Sequence, residues 1–260
     1  MPADGIVLRS ARAGIAALGV AHGLLAGCYL AHERDVDAST DAARPVTAPL
    51  VWVVVHPSDA PLGPGLYLFD ETTQTIVRRL PLPPGSTSPH ALAWDGRSLW
   101  LGGVDEDPGV RELDPADGRV LSRWSGVQCE GIAYEGGRYW YAGVVSTLTP
   151  LVEVQRDGTT IGSLSLGVAT VQELVAAEGS LYYLINDDLD RIVRVDPSTG
   201  ASSDVTSGVH VAPYALGWDG RHLAVAVDGR ITRFDRITGE RVSEGPLGIP
   251  GWITAIAFER

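Results

Sequence analysis

The 260-residue chain is 45% hydrophobic and 20% charged, which provides enough apolar material for a large core and excludes a disordered chain. Its formal net charge is −12, and all 20 basic residues are arginines. The acidic balance argues against a nucleic-acid partner, which needs clustered positive charge, and the lack of lysine excludes Schiff-base and Walker-type chemistry.

Residues 1–27 have the pattern of a targeting segment. Arg9 and Arg12 form a basic start, and the apolar stretch from Ala13 to Leu25 that follows is too short to span a bilayer. The stretch ends in Leu25-Ala26-Gly27-Cys28, which resembles a bacterial lipobox. The sequence therefore predicts a lipoprotein signal peptide over residues 1–27 and lipidation of Cys28. An ordinary signal peptide with an incidental cysteine is the alternative interpretation.

The lipobox interpretation sets the expected location and the state of the second cysteine. It predicts a lipid-anchored protein of the bacterial cell envelope, on a periplasmic or surface face. The outer membrane is favoured because Tyr29, rather than an aspartate, follows the cysteine. Residues 28–48 are polar without periodicity and are predicted to be a flexible tether. With Cys28 acylated, Cys129 has no disulfide partner and is predicted to be a small buried hydrophobe, a catalytic thiol being the alternative.

One sequence unit recurs through the rest of the chain. It opens with a strand of small residues, which starts at His90, Glu130, Glu173, Tyr214 and Thr254, so that successive starts lie 40, 43, 41 and 40 residues apart. An Asp-Gly or Glu-Gly pair, which is typical of a hairpin turn, follows the first four of these strands. Further short strands complete each unit. A period of this length with four antiparallel strands is typical of a β-propeller blade, whereas a β-sandwich does not repeat at a regular interval.

The two ends of the chain are predicted to share one blade. Leu50–His56, Leu66–Asp70 and Thr75–Leu80 are only three strands, and Ile253–Glu259 is an opening strand without followers. Pairing the C-terminal strand with the N-terminal blade closes the ring and removes an open sheet edge. Residues 49–260 are therefore predicted to form an all-β, five-bladed β-propeller with four antiparallel strands per blade. We expect a monomer.

The opening residues of the repeated strands are predicted to surround one mouth of the central channel. All five of these opening residues are polar: His90, Glu130, Glu173, Tyr214 and Thr254. Loops expected at the same mouth contribute His56, Asp105, Glu106, Asp107, Ser146, Asn186, Asp187, Asp188, Asp190, His210, Gln172 and Trp252. Neighbouring carboxyl groups raise each other's pKa, and such a group can act as a general acid or base. A wet channel without a function, ligand binding and catalysis all remain open interpretations.

Two segments of the repeat carry a family resemblance. Cys129-Glu130-Gly131-Ile132 and Gln172-Glu173-Leu174, followed by Arg191 to Gly200, resemble the plant-type glutaminyl cyclotransferases. The resemblance implies five blades and assigns to Glu130 the carboxylate that shuttles a proton as an N-terminal glutamine cyclises. Glu173 would lie in the adjacent polar shell. The chain departs from the family at Pro89-His90-Ala91-Leu92 and at Gln172, and it cannot supply the family's lysine.

The leading functional hypothesis is a lipid-anchored binding module for a peptide, glycan or protein partner. A cyclotransferase-like enzyme, an acyltransferase, is the first alternative, with Glu130, Glu173 and His90 as candidate catalytic residues. A metal-dependent, lactonase-like hydrolase is the second alternative, based on the acidic rim. The candidate ligand-binding residues are Tyr214, Thr254, Gln172, Asn186 and Trp252. No cofactor or metal is expected, although the acidic run from Asn186 to Asp190 has oxygen ligands suited to calcium.

Overall fold

A computed structural model describes residues 50–56, 62–104, 107–143, 149–166, 171–185, 190–206 and 215–260. The described residues form twenty β-strands and no helix. They all belong to one compact unit of the chain, Pro45–Arg260. Within the part of the chain that the structure covers, no helix has the length and hydropathy needed to cross a membrane. The predicted signal peptide, Cys28 and the tether lie outside the described residues.

The strands form five sheets of four antiparallel strands, which are the blades of a propeller. The first blade contains β1 (Leu50–Val55), β2 (Gly65–Asp70), β3 (Thr75–Leu80) and β20 (Ile253–Phe258). The second contains β4 (Pro89–Trp94), β5 (Leu99–Gly103), β6 (Gly109–Leu113) and β7 (Val120–Ser125). The third contains β8 (Cys129–Glu135), β9 (Arg138–Gly143), β10 (Pro150–Val154) and β11 (Thr160–Ser165).

The remaining two blades follow the same order. The fourth contains β12 (Glu173–Ala177), β13 (Ser180–Ile185), β14 (Arg191–Val195) and β15 (Ser202–Thr206). The fifth contains β16 (Ala215–Trp218), β17 (Leu223–Val227), β18 (Arg230–Phe234) and β19 (Arg241–Pro246). The innermost strands β20, β4, β8, β12 and β16 contact one another in that cyclic order. The five-bladed propeller predicted from the repeat is confirmed.

The closure of the ring is also as predicted. The C-terminal strand β20 pairs antiparallel with β1, so the first blade has the order β20-β1-β2-β3. The backbone N–H of Glu259 continues this ladder with a 2.9 Å bond to the carbonyl of Leu50. The indole Nε1 of Trp52 donates to Glu259 Oε1 at 2.8 Å. The two ends of the propeller domain are thus held side by side.

A repeated turn shows how the local sequence determines the blade. Asp114, Asp196 and Asp235 each directly follow a third strand, and each is followed four residues later by a glycine with φ between +70° and +78°. In all three turns the glycine N–H donates to the aspartate carbonyl at 2.8 or 2.9 Å. The aspartate side chain accepts from the backbone N–H two residues on. Only glycine adopts this left-handed backbone without strain, so these segments specify the turn locally.

The core is divided among the interfaces between blades. Five buried clusters lie one between each pair of neighbouring blades, and large side chains such as Trp52, Trp100, Tyr139 and Tyr182 are fully or almost fully buried in them. No blade buries its apolar faces alone, because each face needs the next blade to cover it. The stability of the ring therefore depends on closure, which positions the five innermost strands around one axis.

Candidate functional site

Three innermost strands share a backbone irregularity close to their first residue, at the entrance of the channel. The pairing of β4 with β5 skips His90, that of β8 with β9 skips Glu130, and that of β20 with β1 skips Thr254. An extra residue of this kind is a β-bulge, which takes a side chain out of the regular alternation and re-aims it. Glu173 differs because it remains paired with Leu184 on β13. The predicted polar positions are therefore not geometrically equivalent.

Glu173 lies inside the ring and is fully buried. Its Oε1 accepts a 3.1 Å hydrogen bond from the backbone N–H of Leu174, and its Oε2 has no partner among the described residues. Burial raises the pKa of this carboxyl well above its usual range, although backbone N–H groups of Leu174, Ile132 and Leu92 act in the opposite direction. Leu92 and Ile132 belong to β4 and β8, so the carboxyl lies where three blades meet.

Glu130 is a second carboxyl with a perturbed pKa, but it lies in a more open position. Its side chain is half-buried, and loss of solvation raises its pKa from the ordinary value. It makes no hydrogen bond or ion pair with another described residue. The negative charge of Glu130 also contributes to the raised pKa of Glu173, so the two carboxyl groups interact. The structure thus pairs a buried carboxyl, whose neutral form is favoured, with a partly exposed one that has no hydrogen-bond or ion-pair partner among the described residues.

Cys129 is fully buried beside these carboxyls, as the prediction of a small buried hydrophobe required. Burial raises the pKa of its thiol well above the usual range, and the charges of Glu173 and Glu130 add to the effect. Its Sγ donates to the carbonyl of Gly131 at 3.3 Å. Because the thiolate is the nucleophilic form, this environment disfavours a catalytic thiol.

His90 and Thr254 occupy the other two bulges. Ser88 Oγ and His90 Nε2 lie 2.7 Å apart in a hydrogen bond, and the imidazole is half-buried. Thr254 is fully buried, and its Oγ1 has no partner in the described part of the protein. A ligand that touched Thr254 would therefore have to enter the channel, because the residue is not on the open rim.

Trp252 is the most exposed of the described candidates. Its side chain is 38% exposed, and its ring centroid lies 5.0 Å from that of His56. The backbone N–H of His56 donates to the carbonyl of Trp252 at 2.9 Å, which ties the two segments together. Gln172 is half-buried and its N–H extends the β12–β13 ladder to Leu184 at 2.9 Å. Trp252 and Gln172 each precede an innermost strand, so both lie on the side of the ring where the innermost strands begin.

Several predicted rim residues lie outside the described residues. They are Tyr214, Asn186, Asp105, Glu106, Ser146, Asp187, Asp188 and His210. Asp107 is described, and its carboxylate is paired with Arg123. No group of three or more histidine, cysteine, aspartate or glutamate side chains that could hold a metal occurs among the described residues.

Two neighbours of the site were not identified from the sequence. Ser88 hydrogen-bonds His90, and Tyr141, on the strand next to Glu130, has a phenol pKa raised by burial and by the Cys129 sulfur. The sequence signal for Ser88 was its position two residues before His90. Tyr141 belongs to an aromatic-rich second strand, and nothing in that pattern separates a residue of the site from a packing residue.

The arrangement offers two chemical functions in one place. Burial favours the protonated form of Glu173, which is a hydrogen-bond donor inside the ring, while Glu130 provides an acceptor that can bind or release a proton. The second group is poorly solvated, so it interacts strongly with any cation that approaches it. Such a pair is suited to binding an amine or to moving a proton between two groups of a bound molecule.

Comparison with known proteins identifies the fold of the chain but does not identify a family for it. No protein-family model matches the chain, and no curated protein is significantly similar to it. A chain from the crystal structure of a nidogen/laminin complex is similar in structure, with a TM-score of 0.55 and 12% identity over 82% of this chain and 98% of that one. The glutaminyl cyclase of Myxococcus xanthus is similar with a TM-score of 0.53 and 12% identity, over 70% of this chain and 75% of that enzyme. These similarities show the propeller fold.

Proposed function

We propose that the protein is a lipid-anchored envelope protein whose channel mouth binds a ligand carrying a cationic amine, such as the N-terminus of a peptide. The observation that supports this proposal is Glu130, a half-buried carboxyl that has no partner among the described residues. A carboxylate that has lost part of its solvation gains more from an ammonium group than one in bulk water. The net charge of −12 attracts cations to the protein as a whole.

The surroundings of Glu130 favour a small ligand over a flat protein contact. In its protonated form, which burial favours, the Glu173 carboxyl can donate to a carbonyl placed deeper in the ring. Trp252, with 38% of its side chain exposed, offers an aromatic surface near the entrance. An N-terminal amino acid carries an ammonium group, a carbonyl and a side chain in close proximity, which these three residues complement.

The proposal is tested by calorimetric titration of the fragment 46–260 with the peptide Gln-Ala-Ala. Ionised Glu130 binds the ammonium group and protonated Glu130 does not. Affinity should therefore rise with pH through the raised pKa of this carboxyl and level off above it, until the peptide amine itself deprotonates near pH ~8. Glu130→Gln should weaken binding about tenfold and flatten this pH dependence.

Two controls separate binding at Glu130 from general attraction to an acidic protein. The N-acetylated peptide lacks the ammonium group and should bind weakly to every variant. Glu240→Gln removes an equal charge from an exposed turn position and should leave the affinity unchanged. Equal binding of the acetylated and free peptides would contradict the proposal.

A second candidate function is a glutaminyl cyclotransferase-like reaction, favoured by the raised pKa of Glu130 and by the fold shared with the Myxococcus glutaminyl cyclase. The α-amine of an N-terminal glutamine would attack its side-chain amide carbon, forming the ring C–N bond and releasing ammonia. Glu130 would take the proton from the amine and return it to the leaving nitrogen. Ammonia release from Gln-Ala-Ala, abolished in Glu130→Gln, would support this reaction. No turnover in the wild type would leave binding as the function of the site.

The membrane anchor is a separate part of the proposal and rests on Leu25-Ala26-Gly27-Cys28. A diacylglyceryl cysteine holds a protein on a membrane by burial of its acyl chains, at about 0.8 kcal/mol per buried CH₂. Cys28→Ala should therefore move the protein from the membrane to the soluble fraction when a bacterial host expresses the full chain. Cys129→Ala is the matched control and should partition like the wild type. Membrane partitioning that is unchanged in Cys28→Ala would contradict the anchor.

A further inference from the structure

A cavity of about 630 Å³ lies at the junction of the first and second blades. Its walls include Pro81, Leu82 and Pro83, which follow β3, and Pro64, which precedes β2. Residues 81–88 connect the outermost strand of the first blade to the innermost strand of the second. The volume lies within the range of about 300–1,000 Å³ found for small-molecule sites.

The apolar walls are preformed. Proline fixes its own backbone torsion, so Pro64, Pro81 and Pro83 keep their shape without a ligand. Ser86 N–H donates to the carbonyl of Pro83 at 3.1 Å, which closes the segment into a turn, and Gly85 within that turn has φ +83°. A rigid wall reduces the ordering cost of binding.

Arg79 supplies a cation at the cavity. Its guanidinium carbon lies 5.5 Å from the ring centroid of Tyr67, and Tyr67 is 1% exposed, so the arginine rests on a fixed aromatic surface. The Tyr67 hydroxyl lies 2.9 Å from the carbonyl of Leu62 and 2.7 Å from that of Gly63, which holds the ring in place. Arg79 makes no ion pair with a carboxylate of the described residues. Its charge is therefore positioned but not neutralised, in a chain with excess negative charge.

Ser86 supplies a second polar group in the cavity lining. The residue is 9% exposed, and its Oγ is buried without a hydrogen-bond partner in the described part of the chain. A buried hydroxyl without a partner costs free energy that a bound acceptor can recover. The unsatisfied Ser86 hydroxyl is thus an observation, independent of Arg79, that points to a ligand.

We propose that this cavity binds a small organic anion with an apolar body. The anionic group of the ligand would lie against the Arg79 guanidinium, and its apolar body would contact the proline and leucine walls. An oxygen of the ligand would accept a hydrogen bond from the Ser86 hydroxyl. The positive charge of Arg79 favours an anion, and the apolar walls favour a ligand with more apolar surface than an inorganic ion has. Its lining residues differ from those of the channel mouth, and its charge preference is opposite.

A fluorescence titration with 8-anilinonaphthalene-1-sulfonate tests the proposal, because this probe combines an aromatic body with a sulfonate. The purified protein should show saturable emission with one site per chain. Arg79→Gln should raise the Kd about tenfold, since it removes a charge-assisted contact. Arg97→Gln removes an equal charge from an exposed turn and should leave the Kd unchanged. The uncharged analogue N-phenyl-1-naphthylamine should bind weakly, with no response to Arg79→Gln.

Ser86→Ala distinguishes a ligand contact from a structural role. If the hydroxyl is held for a ligand, its removal should weaken probe binding several-fold and leave the Tm unchanged or slightly higher, because an unsatisfied buried group is lost. A lowered Tm with unchanged probe affinity would instead assign Ser86 to the fold and overturn the proposal. Emission that does not saturate, or a Kd that is the same in Arg79→Gln, would overturn it as well. Glu130→Gln should leave probe binding unchanged, which separates this site from the proposed channel function.

Discussion

Glu130 and Glu173 show how one residue type acquires two roles from its surroundings. Both open an innermost strand, in neighbouring blades. Glu173 is fully buried, which raises the pKa of its carboxyl well above the usual range, whereas Glu130 is half-buried and its pKa is raised less. The difference arises because Glu173 lies where three blades meet, while Glu130 occupies a bulge and stays partly exposed. A pair of carboxyls with separated pKa values is a common arrangement for an acid and a base.

Glu173→Gln should make the protein more stable at neutral and alkaline pH. The folded-state pKa of Glu173 is raised above its unfolded value, so the folded state binds more protons and wild-type stability falls as pH rises from about 4.3 through the folded pKa. Glutamine is neutral throughout. The gain in Tm should therefore be largest at pH 8 and vanish below about pH 4, each 1 kcal/mol appearing as roughly 2–4 °C.

Thermal unfolding followed by circular dichroism between pH 4 and pH 8 measures this difference. Glu240→Gln, at an exposed position, is the control and should follow the wild-type curve. If Glu173→Gln lowers the Tm by an amount that grows as the pH rises from about 4 to 8, the carboxylate rather than the protonated acid is the form that the fold stabilises.

At the scale of the strands, the site depends on how closely β8 approaches β12. A Cβ atom added to Gly131 would lie 2.5 Å from the backbone nitrogen of Leu174 and 2.8 Å from the carbonyl carbon of Glu173. These are backbone atoms and cannot move aside. The Glu130-Gly131 pair thus has a physical explanation: the bulge directs the carboxyl, and the glycine lets the next blade come close enough to bury Glu173.

Gly131→Ala should destabilise the protein by about 1–3 kcal/mol, the usual cost of overpacking. It should also push β12 outward, admit water to Glu173 and lower the pKa of that carboxyl toward its ordinary value. Urea unfolding measures the first effect, and the pH dependence of stability measures the second. Gly162→Ala is the control, because a Cβ atom there meets nothing within 4 Å and an alanine should be neutral or stabilising by up to about 1 kcal/mol. Equal stability of the two variants would show that the strands can separate without cost.

For the whole molecule, the closure of the ring holds both sites in place. The strand β20 contributes Ile253, Ile256 and Phe258 to the cluster between the fifth and first blades, and Ala255 and Ala257 to the cluster between the first and second. One terminal strand therefore completes two of the five interfaces between blades. Thr254, which lies in the channel, also belongs to β20.

Deletion of residues 253–260 should abolish cooperative folding, because β1 loses its partner and two core clusters open to water. A circular permutant that joins residue 260 to residue 50 through a short linker, with new ends between Ala116 and Asp117, retains β20 and should unfold near the wild-type Tm. The new ends fall in an exposed turn. Near-ultraviolet circular dichroism during heating checks both proteins. A truncated chain that still melts in one sharp transition would show that the ring does not depend on its final strand.

The fold could be predicted from the sequence because its determinants are local and repeated. Each aspartate-to-glycine turn forms from its own hydrogen bonds, as at Asp114 and Gly118, and the regular spacing of the turns defines the blade. Small residues in the innermost strands and aromatic residues in the second strands recur at the same spacing as these turns. The count of strands at the two ends was sufficient to predict the closure, because an unpaired opening strand and an incomplete blade need each other.

The candidate site was predictable only as a set of polar positions. The sequence placed Glu130 and Glu173 at the same step of the repeat but could not show that one is buried and the other half-exposed. That difference depends on a bulge and on the approach of neighbouring blades, which are contacts between residues far apart in the chain. The cavity at Arg79 and Ser86 was not predicted, since separate parts of the first blade and the segment that connects it to the second form it together.

The sequence by itself thus determined the number of blades, the turns and the way the ends meet, because each is encoded in short segments that repeat. Only the tertiary structure decided the different pKa shifts of the two carboxyls, the exposure of the histidine and tryptophan at the mouth, and the presence of a cavity beside the ring. These properties depend on how much water each group retains after the blades pack, and no single blade determines that alone.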